Sequence, residues 1–375
     1  MTIGIDASPA ARKEKTGVEW YTYHLLHEFM KQDTDNEYTL YTSQPFSDEE
    51  KATWSKHFKE KVLRSPTKWF WSSTCLLWEL LWSKPDRLFI PSDAMPPLVH
   101  PSYTVITIHD VAFIPYKKIY EWKRYQYLYW TTWYATKRAH TILTISEFSK
   151  QEIIKYYHVD PSRITVVYNG YDHETYVPAS LTTTIADALV LKQWDLTARN
   201  YIFTIAPLEK KKNLPTLIDA FAIIKQSFPD LQLVITGKAR LAKEEVLGKI
   251  ANSPYKDDIK YVGWIDEEQK IALLRNAAVF AFPSFYEGFG LPVIEAQSCH
   301  IPVVCANAAS LPEVGGQGAL YHEVASPEDL ASKVIAVLSD TSLSQYLIQK
   351  GIENVKRFSW GECARKTLEV LKAGM

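Results

Sequence analysis

The sequence predicts an α/β protein of two doubly wound domains, and three observations carry that prediction. Its 375 residues are more than twice the ~150 residues of an average domain. Short β-rich runs alternate with longer runs of helical period, the signature of parallel strands joined by helices. The alternation stops once, over 181–198, and then begins afresh. Two sets of strands and helices therefore give two domains facing across a cleft, where ligands of such folds bind. The predicted bounds are 1–180, completed by 356–375, and 199–355.

In the first set the strands are Thr2–Ile5, Tyr38–Tyr41, Leu88–Pro91, Thr104–Ile108 and Thr141–Ile145. The helices between them are Val18–Lys31, Trp69–Trp82, Tyr120–Lys137 and Glu147–Tyr157. Ile164–Gly170 reads as a strand and a turn, and Leu181–Ala198 as a helical connection between domains. In the second set the strands are Tyr201–Ile205, Leu231–Gly237, Ile259–Val262, Val279–Phe282 and Pro302–Cys305. Their helices are Asn213–Gln226, Asp266–Asn276, Pro292–Cys299 and Pro327–Leu338. Trp360–Leu371 closes the chain as an amphipathic helix. No repeat of 20–50 residues marks a solenoid.

Composition removes several classes of function. A hydrophobic fraction of 46% and a charged fraction of 23% suit a globular chain. Basic and acidic residues balance in both parts, 21 and 21 up to residue 180, then 21 and 22. The cationic footprint of a nucleic-acid binder is missing. Cys75, Cys299, Cys305 and Cys363 lack metal or disulfide spacing and read as buried thiols in a reducing compartment. No signal peptide or stretch of ~18 apolar residues is present, so a cytoplasmic protein is expected.

The sharpest constellation runs from Ser284 to Ala296, Ser-Phe-Tyr-Glu-Gly-Phe-Gly-Leu-Pro-Val-Ile-Glu-Ala. It follows an apolar strand and opens a helix, with Pro292 near the first helical position. Gly288 and Gly290 let backbone amides approach an anion that the helix dipole favours. Glu287 precedes this anion site and Glu295 lies about one turn inside the helix. Two acids flanking a diphosphate make sense if each grips hydroxyls, one a sugar's and the other a ribose's.

This stretch resembles the Glu-x7-Glu motif of the family 4 retaining glycosyltransferases, whose GT-B fold has two facing Rossmann-like domains. The resemblance covers nearly the whole chain. It includes Ile5-Asp6 through Thr16-Gly17-Val18, Thr107-Ile108-His109-Asp110, Thr144 to Ser149, and Val167 to Gly170. Further on it includes Glu209 to Leu214, Tyr261-Val262-Gly263 and Ser310 to Val314. Phe358-Ser359-Trp360 resembles the start of the family's last helix, which crosses back onto the first domain.

The resemblance implies a role for each site residue. Glu287 accepts hydrogen bonds from donor-sugar hydroxyls, while Gly288, Phe289, Gly290 and Leu291 supply amides around sugar and phosphate. Glu295 binds the two ribose hydroxyls. Lys212 neutralises the diphosphate, and Lys211 stands where many relatives have Arg. Relatives usually show Gly, often followed by Arg, where this chain has Ala206-Pro207. One diphosphate contact is then either absent or supplied by Lys211. Gly17, by itself a turn residue, corresponds to the amide that approaches the distal phosphate. His109, by itself a core histidine, corresponds to the strand-end histidine near the sugar. Asp110 either orients His109 or caps a helix.

Other features are weighed and set aside. Asp33-Thr34-Asp35 has metal-binding spacing but reads as a solvated turn, and His24 with His27 lacks a third ligand. Neither G-x-G-x-x-G nor a Walker A sequence occurs, against a dinucleotide dehydrogenase or P-loop NTPase. Nine of the twelve Trp precede residue 140. Trp69-Phe70-Trp71, Leu76-Leu77-Trp78 and Leu80-Leu81-Trp82 are together too apolar for one exposed face, and most of these residues are expected in the core. Over Tyr120–Arg138, aromatics interleave with Lys117, Lys118, Lys123, Arg124, Lys137 and Arg138, which suits an anionic membrane surface, a carbohydrate acceptor, or plain packing.

The expected function is transfer of a hexose from a nucleotide-sugar donor to a glycan or lipid-linked glycan acceptor, with retained configuration and no metal or other cofactor. Mannose from GDP-mannose is favoured over a UDP-sugar, and no nucleic acid is involved. The expected location is the cytoplasm, with peripheral contact on the inner membrane face as an option. The alternatives are a nucleotide-sugar epimerase, a sugar phosphorylase, or an inactive glycan-binding subunit.

Overall fold

The computed structural model describes residues 1–64, 71–92, 94–98, 101 and 103–373. The chain divides into one unit of residues 1–170 with 358–375, and a second of residues 171–357.

The first unit holds strands β1 (Thr2–Asp6), β2 (Glu37–Thr42), β3 (Phe58–Val62), β4 (Arg87–Ile90), β5 (Tyr103–Thr107), β6 (Thr141–Thr144) and β7 (Ile164–Val166). They form one parallel sheet in the order β3-β2-β1-β4-β5-β6-β7. Its helices are α1 (Gly17–Gln32), α2 (Asp48–Ala52), α3 (Leu77–Trp82), α4 (Trp122–Arg138) and α5 (Glu147–Tyr157). The second unit continues with α6 (Leu181–Gln193), β8 (Tyr201–Ile205), α7 (Leu214–Ile224), β9 (Gln232–Thr236), α8 (Lys243–Ala251), β10 (Ile259–Gly263) and α9 (Glu267–Arg275). There follow β11 (Val279–Phe282), α10 (Leu291–Ser298), β12 (Val303–Ala306), α11 (Leu311–Gly315), β13 (Ala319–His322), α12 (Pro327–Ser339) and α13 (Thr341–Val355). Its parallel sheet runs β10-β9-β8-β11-β12-β13. In each sheet the strand order reverses once, between β1 and β4 and between β8 and β11. Loops leaving the carboxyl ends of strands at such a reversal form a ligand crevice.

The helix α14 (Trp360–Lys372) belongs to the first unit although the second precedes it. Cys363, Ala364, Thr367, Leu368 and Leu371 are its buried side, packed on α1, and the Gln32 amide donates to the Gly361 carbonyl at 2.9 Å. Gly170 is required where the chain passes beneath it: a Cβ there would fall 2.1 Å from the Trp360 nitrogen.

Four expectations are corrected. The stretch 171–198 is part of the second unit, which moves both predicted domain bounds. Asp187 on α6 is buried and accepts from the Arg275 guanidinium at 2.6 Å and the Asn276 amide at 2.8 Å. Removing one partner of such a buried pair costs about 3–5 kcal/mol, so α6 is fastened to α9. Asp33 is not solvated: its carboxylate accepts from Tyr38 at 2.5 Å and Asn36 at 2.8 Å and meets Lys372 at 3.0 Å. Burial pushes that carboxyl up, but these bonds outweigh it and hold it at about 2. Trp78 and Trp82 are not core, being 65% and 78% exposed. Among the described residues of that run, Trp71, Leu76 and Leu80 are buried, the Trp71 indole donating to the Leu63 carbonyl at 2.8 Å. Trp69 and Phe70 lie outside the described residues. The edge strands β3 and β13 are additions to the predicted set.

Candidate active site

The site in the second unit is built at its strand-order reversal. The segment after β8 turns through Lys210–Lys212 into α7, and the segment after β11 turns through Glu287 into α10. The two are tied together. The Phe285 amide donates to the Lys211 carbonyl at 2.8 Å. Asn213, in the left-handed region at φ 53°, donates its side-chain amide to the Pro283 carbonyl at 3.1 Å. This turn delivers Lys212 to Glu287: their Nζ and Oε1 atoms are 2.6 Å apart, each side chain 12% exposed. The Lys212 ammonium also lies 5.4 Å from the Phe282 ring centre, a cation–π contact. Burial pushes the Glu287 carboxyl up, but Lys212 and Lys211 outweigh it and hold it below its ordinary range. Glu287 is thus kept ionised.

The loop carrying Gly288 and Phe289 is held from behind. The Ser310 hydroxyl lies 2.9 Å from the Glu287 carbonyl and 2.7 Å from that of Phe289. Gly290 has φ +108°, and a Cβ would sit 2.8 Å from the Leu311 side chain, so only glycine fits. Leu291 then starts α10 with Pro292 in its first turn.

Glu295, one turn inside α10, is set apart from the Lys212–Glu287 pair and has its own partners. Lys270 on α9 approaches it at 3.8 Å and pairs with Glu267 at 2.8 Å. Burial pushes the Glu295 carboxyl up and Glu267 adds to this, against the opposing influence of Lys270 and Tyr176. The two acids of the motif are therefore driven in opposite directions. Tyr176 and Lys270 were not singled out in the sequence, because neither stands at a diagnostic spacing.

In the first unit, His109 follows β5. Its Nε2 lies 2.9 Å from the Pro91 carbonyl, which can only accept, so Nε2 carries the proton and Nδ1 is the acceptor in the neutral ring. Its centroid is 4.8 Å from that of Tyr21, edge to face. Burial lowers its pKa, against the Pro91 carbonyl, Asp110 and Glu19. Asp110 caps the following turn, accepting from the Ala112 amide at 2.9 Å, and also acts on His109 by its charge. Gly17 opens α1 behind Thr16 and Glu19, which form a capping box. No atom lies within 4 Å of where its Cβ would be, so packing does not require glycine there.

The second unit thus carries, at a strand-order reversal, a glycine-rich turn, a largely buried lysine–glutamate pair and a second acid on the following helix, the placing of a ligand crevice in a Rossmann-like fold. The chain belongs to the glycosyltransferases described as Glycosyltransferase Family 4, matched over residues 15–175, and Glycosyl transferases group 1, matched over residues 191–354. It is a hexosyltransferase. It is 30% identical to the O-antigen chain mannosyltransferase B of Escherichia coli, over 72% of this chain and 70% of that protein. It is 27% identical to an alpha-maltose-1-phosphate synthase of Mycobacterium tuberculosis, over 72% of each. In fold it is similar to Anabaena HepE, solved in complex with UDP and glucose, with a TM-score of 0.74, 16% identity and 99% of each chain covered. The two Rossmann-like domains expected from sequence are thereby found.

Proposed function

We propose that this hexosyltransferase transfers mannose from GDP-mannose, in preference to a UDP-sugar, to a glycan or lipid-linked glycan, retaining the anomeric configuration without a metal ion. The observation that carries this reading is the Lys212–Glu287 pair beside the glycine-rich turn into α10. Lys212 has three N–H donors, of which Glu287 takes one, so the ammonium can also meet a diphosphate. Glu287, kept ionised, can accept from donor-sugar hydroxyls. Gly288, Phe289, Gly290 and Leu291 supply amides, Lys211 adds charge, and Glu295 takes the ribose diol. In the first unit, His109 presents Nδ1 to a sugar hydroxyl, and Gly17 at the start of α1 offers its amide to the distal phosphate.

The acceptor hydroxyl attacks the anomeric carbon from the face the diphosphate is leaving. The new C–O bond forms as the C–O bond to phosphate breaks, and a phosphate oxygen takes the proton. No side chain is then needed as general base, and the protein's part is positioning and charge stabilisation. The similarity to a mannosyltransferase of an O-antigen chain supports both the sugar and a polysaccharide acceptor. A thermal-shift series over GDP-mannose, UDP-glucose and their nucleotides tests the donor. A ligand at 100 times its Kd adds about 2.7 kcal/mol of stability, so GDP-mannose should raise Tm most. A larger shift with UDP-glucose would reassign the donor.

An anionic membrane is the second partner in this reading. No helix among the described residues is long and apolar enough to cross a membrane. Leu80 of α3, Ala135 of α4 and Ile153 of α5 are buried in one apolar cluster. The outward sides of α3 and α4 carry Trp78, Trp82, Trp122, Trp130 and Trp133, all exposed. Residues 117–140 hold six Lys and Arg against one acid, Glu121. Tryptophan settles at the headgroup level, and each cation near an anionic leaflet adds about 1 kcal/mol. The protein should sediment with phosphatidylglycerol vesicles and be released as salt rises. The double variant Lys123→Glu/Arg124→Glu should lose that binding with Tm unchanged. No sedimentation at low salt would return these tryptophans to a role in packing.

A further inference from the structure

Glu295 has a partner that no motif marks. Tyr176 stands ahead of α6 on the stretch that enters the second unit, and it is 5% exposed. A tight turn builds its position. The Asp172 carboxylate accepts the amides of Glu174 and Thr175, both at 3.1 Å, and the Thr175 hydroxyl at 2.6 Å. The Tyr176 amide donates to the Asp172 carbonyl at 3.0 Å. From α10, the Ser298 hydroxyl donates to the Tyr176 carbonyl at 2.6 Å. The ring lies 5.1 Å from the Lys270 ammonium. Its hydroxyl donates to Glu267, which pairs at 2.8 Å with the same Lys270 that approaches Glu295 at 3.8 Å. One ammonium is thus shared between two carboxylates brought from α9 and α10, and the tyrosine fixes it from both sides, by its ring and through Glu267. The Glu295 side chain keeps 13% of its surface exposed, enough for a ligand to reach it.

A glutamate has three rotatable side-chain bonds, and accepting both hydroxyls of a ribose requires one orientation of its carboxylate. Fixing that orientation before the ligand arrives removes an ordering cost from binding. We propose that Tyr176, with Lys270, is a positioning residue for the nucleotide half of the site, holding the Glu295 carboxylate toward a vicinal diol. This rests on the assignment of Glu295 to the ribose made above. The turn that opens the second unit thereby takes part in nucleotide recognition.

The test is calorimetric titration of the full chain with GDP and 2′-deoxy-GDP, and with UDP and 2′-deoxy-UDP in parallel. Inorganic pyrophosphate serves as a probe of the phosphate end alone. Tyr176→Phe keeps the ring over Lys270 and removes only the hydroxyl. Its preference for the ribonucleotide over the deoxynucleotide should fall about 3- to 10-fold, less than the loss of a direct hydrogen bond to a charged group because the hydroxyl acts on Glu295 through Glu267 and Lys270, with pyrophosphate affinity and Tm unchanged. Lys270→Met should lower the same preference. If Glu295→Ala abolishes the preference and Tyr176→Phe keeps it at the wild-type level, the positioning role is overturned and the ribose assignment stands. If Glu295→Ala keeps the preference, the ribose assignment itself fails. Equal loss of affinity for ribo- and deoxynucleotide in Tyr176→Phe, together with a lowered Tm, would make the tyrosine merely structural and overturn the proposal.

Discussion

Lys212→Ala should lower turnover about 100-fold or more, the loss seen when one donor to a developing anion is removed. The departing diphosphate gains charge as the glycosidic bond breaks, and in this account Lys212 is the nearest cation to meet it. The structure adds a second consequence. Lys212 is 2.6 Å from Glu287, and its charge is the main influence opposing the burial that pushes the Glu287 carboxyl up. Without the ammonium, only Lys211 and Ser284 still oppose burial, and the carboxyl's pKa rises. The variant's remaining activity should therefore fall further as pH drops below neutrality, over a range where the wild type is unaffected. Lys212→Arg keeps the charge and should retain much more activity. Pre-steady-state turnover with saturating donor, measured across pH, separates the three proteins. Equal rates in Lys212→Ala and the wild type would remove lysine from the mechanism.

The two acids of the motif should respond differently to truncation. Glu295→Ala should weaken binding of the free nucleoside diphosphate about 100-fold or more, because two hydrogen bonds to a charged group are lost, each worth about 1.5–3 kcal/mol. Glu287→Ala should leave that affinity unchanged or slightly stronger, since it frees the Lys212 ammonium for phosphate, while turnover with the sugar donor falls steeply. Titration calorimetry and steady-state rates on the same two variants give both quantities. Equal weakening of nucleotide binding in the two would reverse or dissolve the sugar and ribose assignments.

Much of this arrangement is legible in the sequence because it is local. Ser284 to Ala296 follows directly on a strand end and contains the glycines, the helix start and both acids, so spacing alone places them. The central strands read clearly because they are short buried apolar runs. Edge strands do not: in β3, Phe58-Lys-Glu-Lys-Val, Lys59 and Lys61 face solvent and the inward Glu60 breaks the apolar pattern. Helical period in α3 shows that Trp78 and Leu80 lie on different sides, but it does not say which side is outward. The connecting stretch misled for a related reason. The tie of α6 to the second unit is the Asp187–Arg275 pair, whose members lie far apart in sequence. Tyr176 and Lys270 were illegible in the same way. Each is one common residue in an unremarkable context, and only the folded chain brings a turn, α9 and α10 to one carboxylate.

The account's central claim is transfer with retention, driven by protein cations rather than a metal. The most direct measurement is the anomeric configuration, by NMR, of the product formed from GDP-mannose and a lipid-linked glycan acceptor in excess EDTA. The account predicts an α-linked mannoside formed at the same rate with and without the chelator. A β-linked product, or one that forms only after Mg²⁺ or Mn²⁺ is restored, would contradict it.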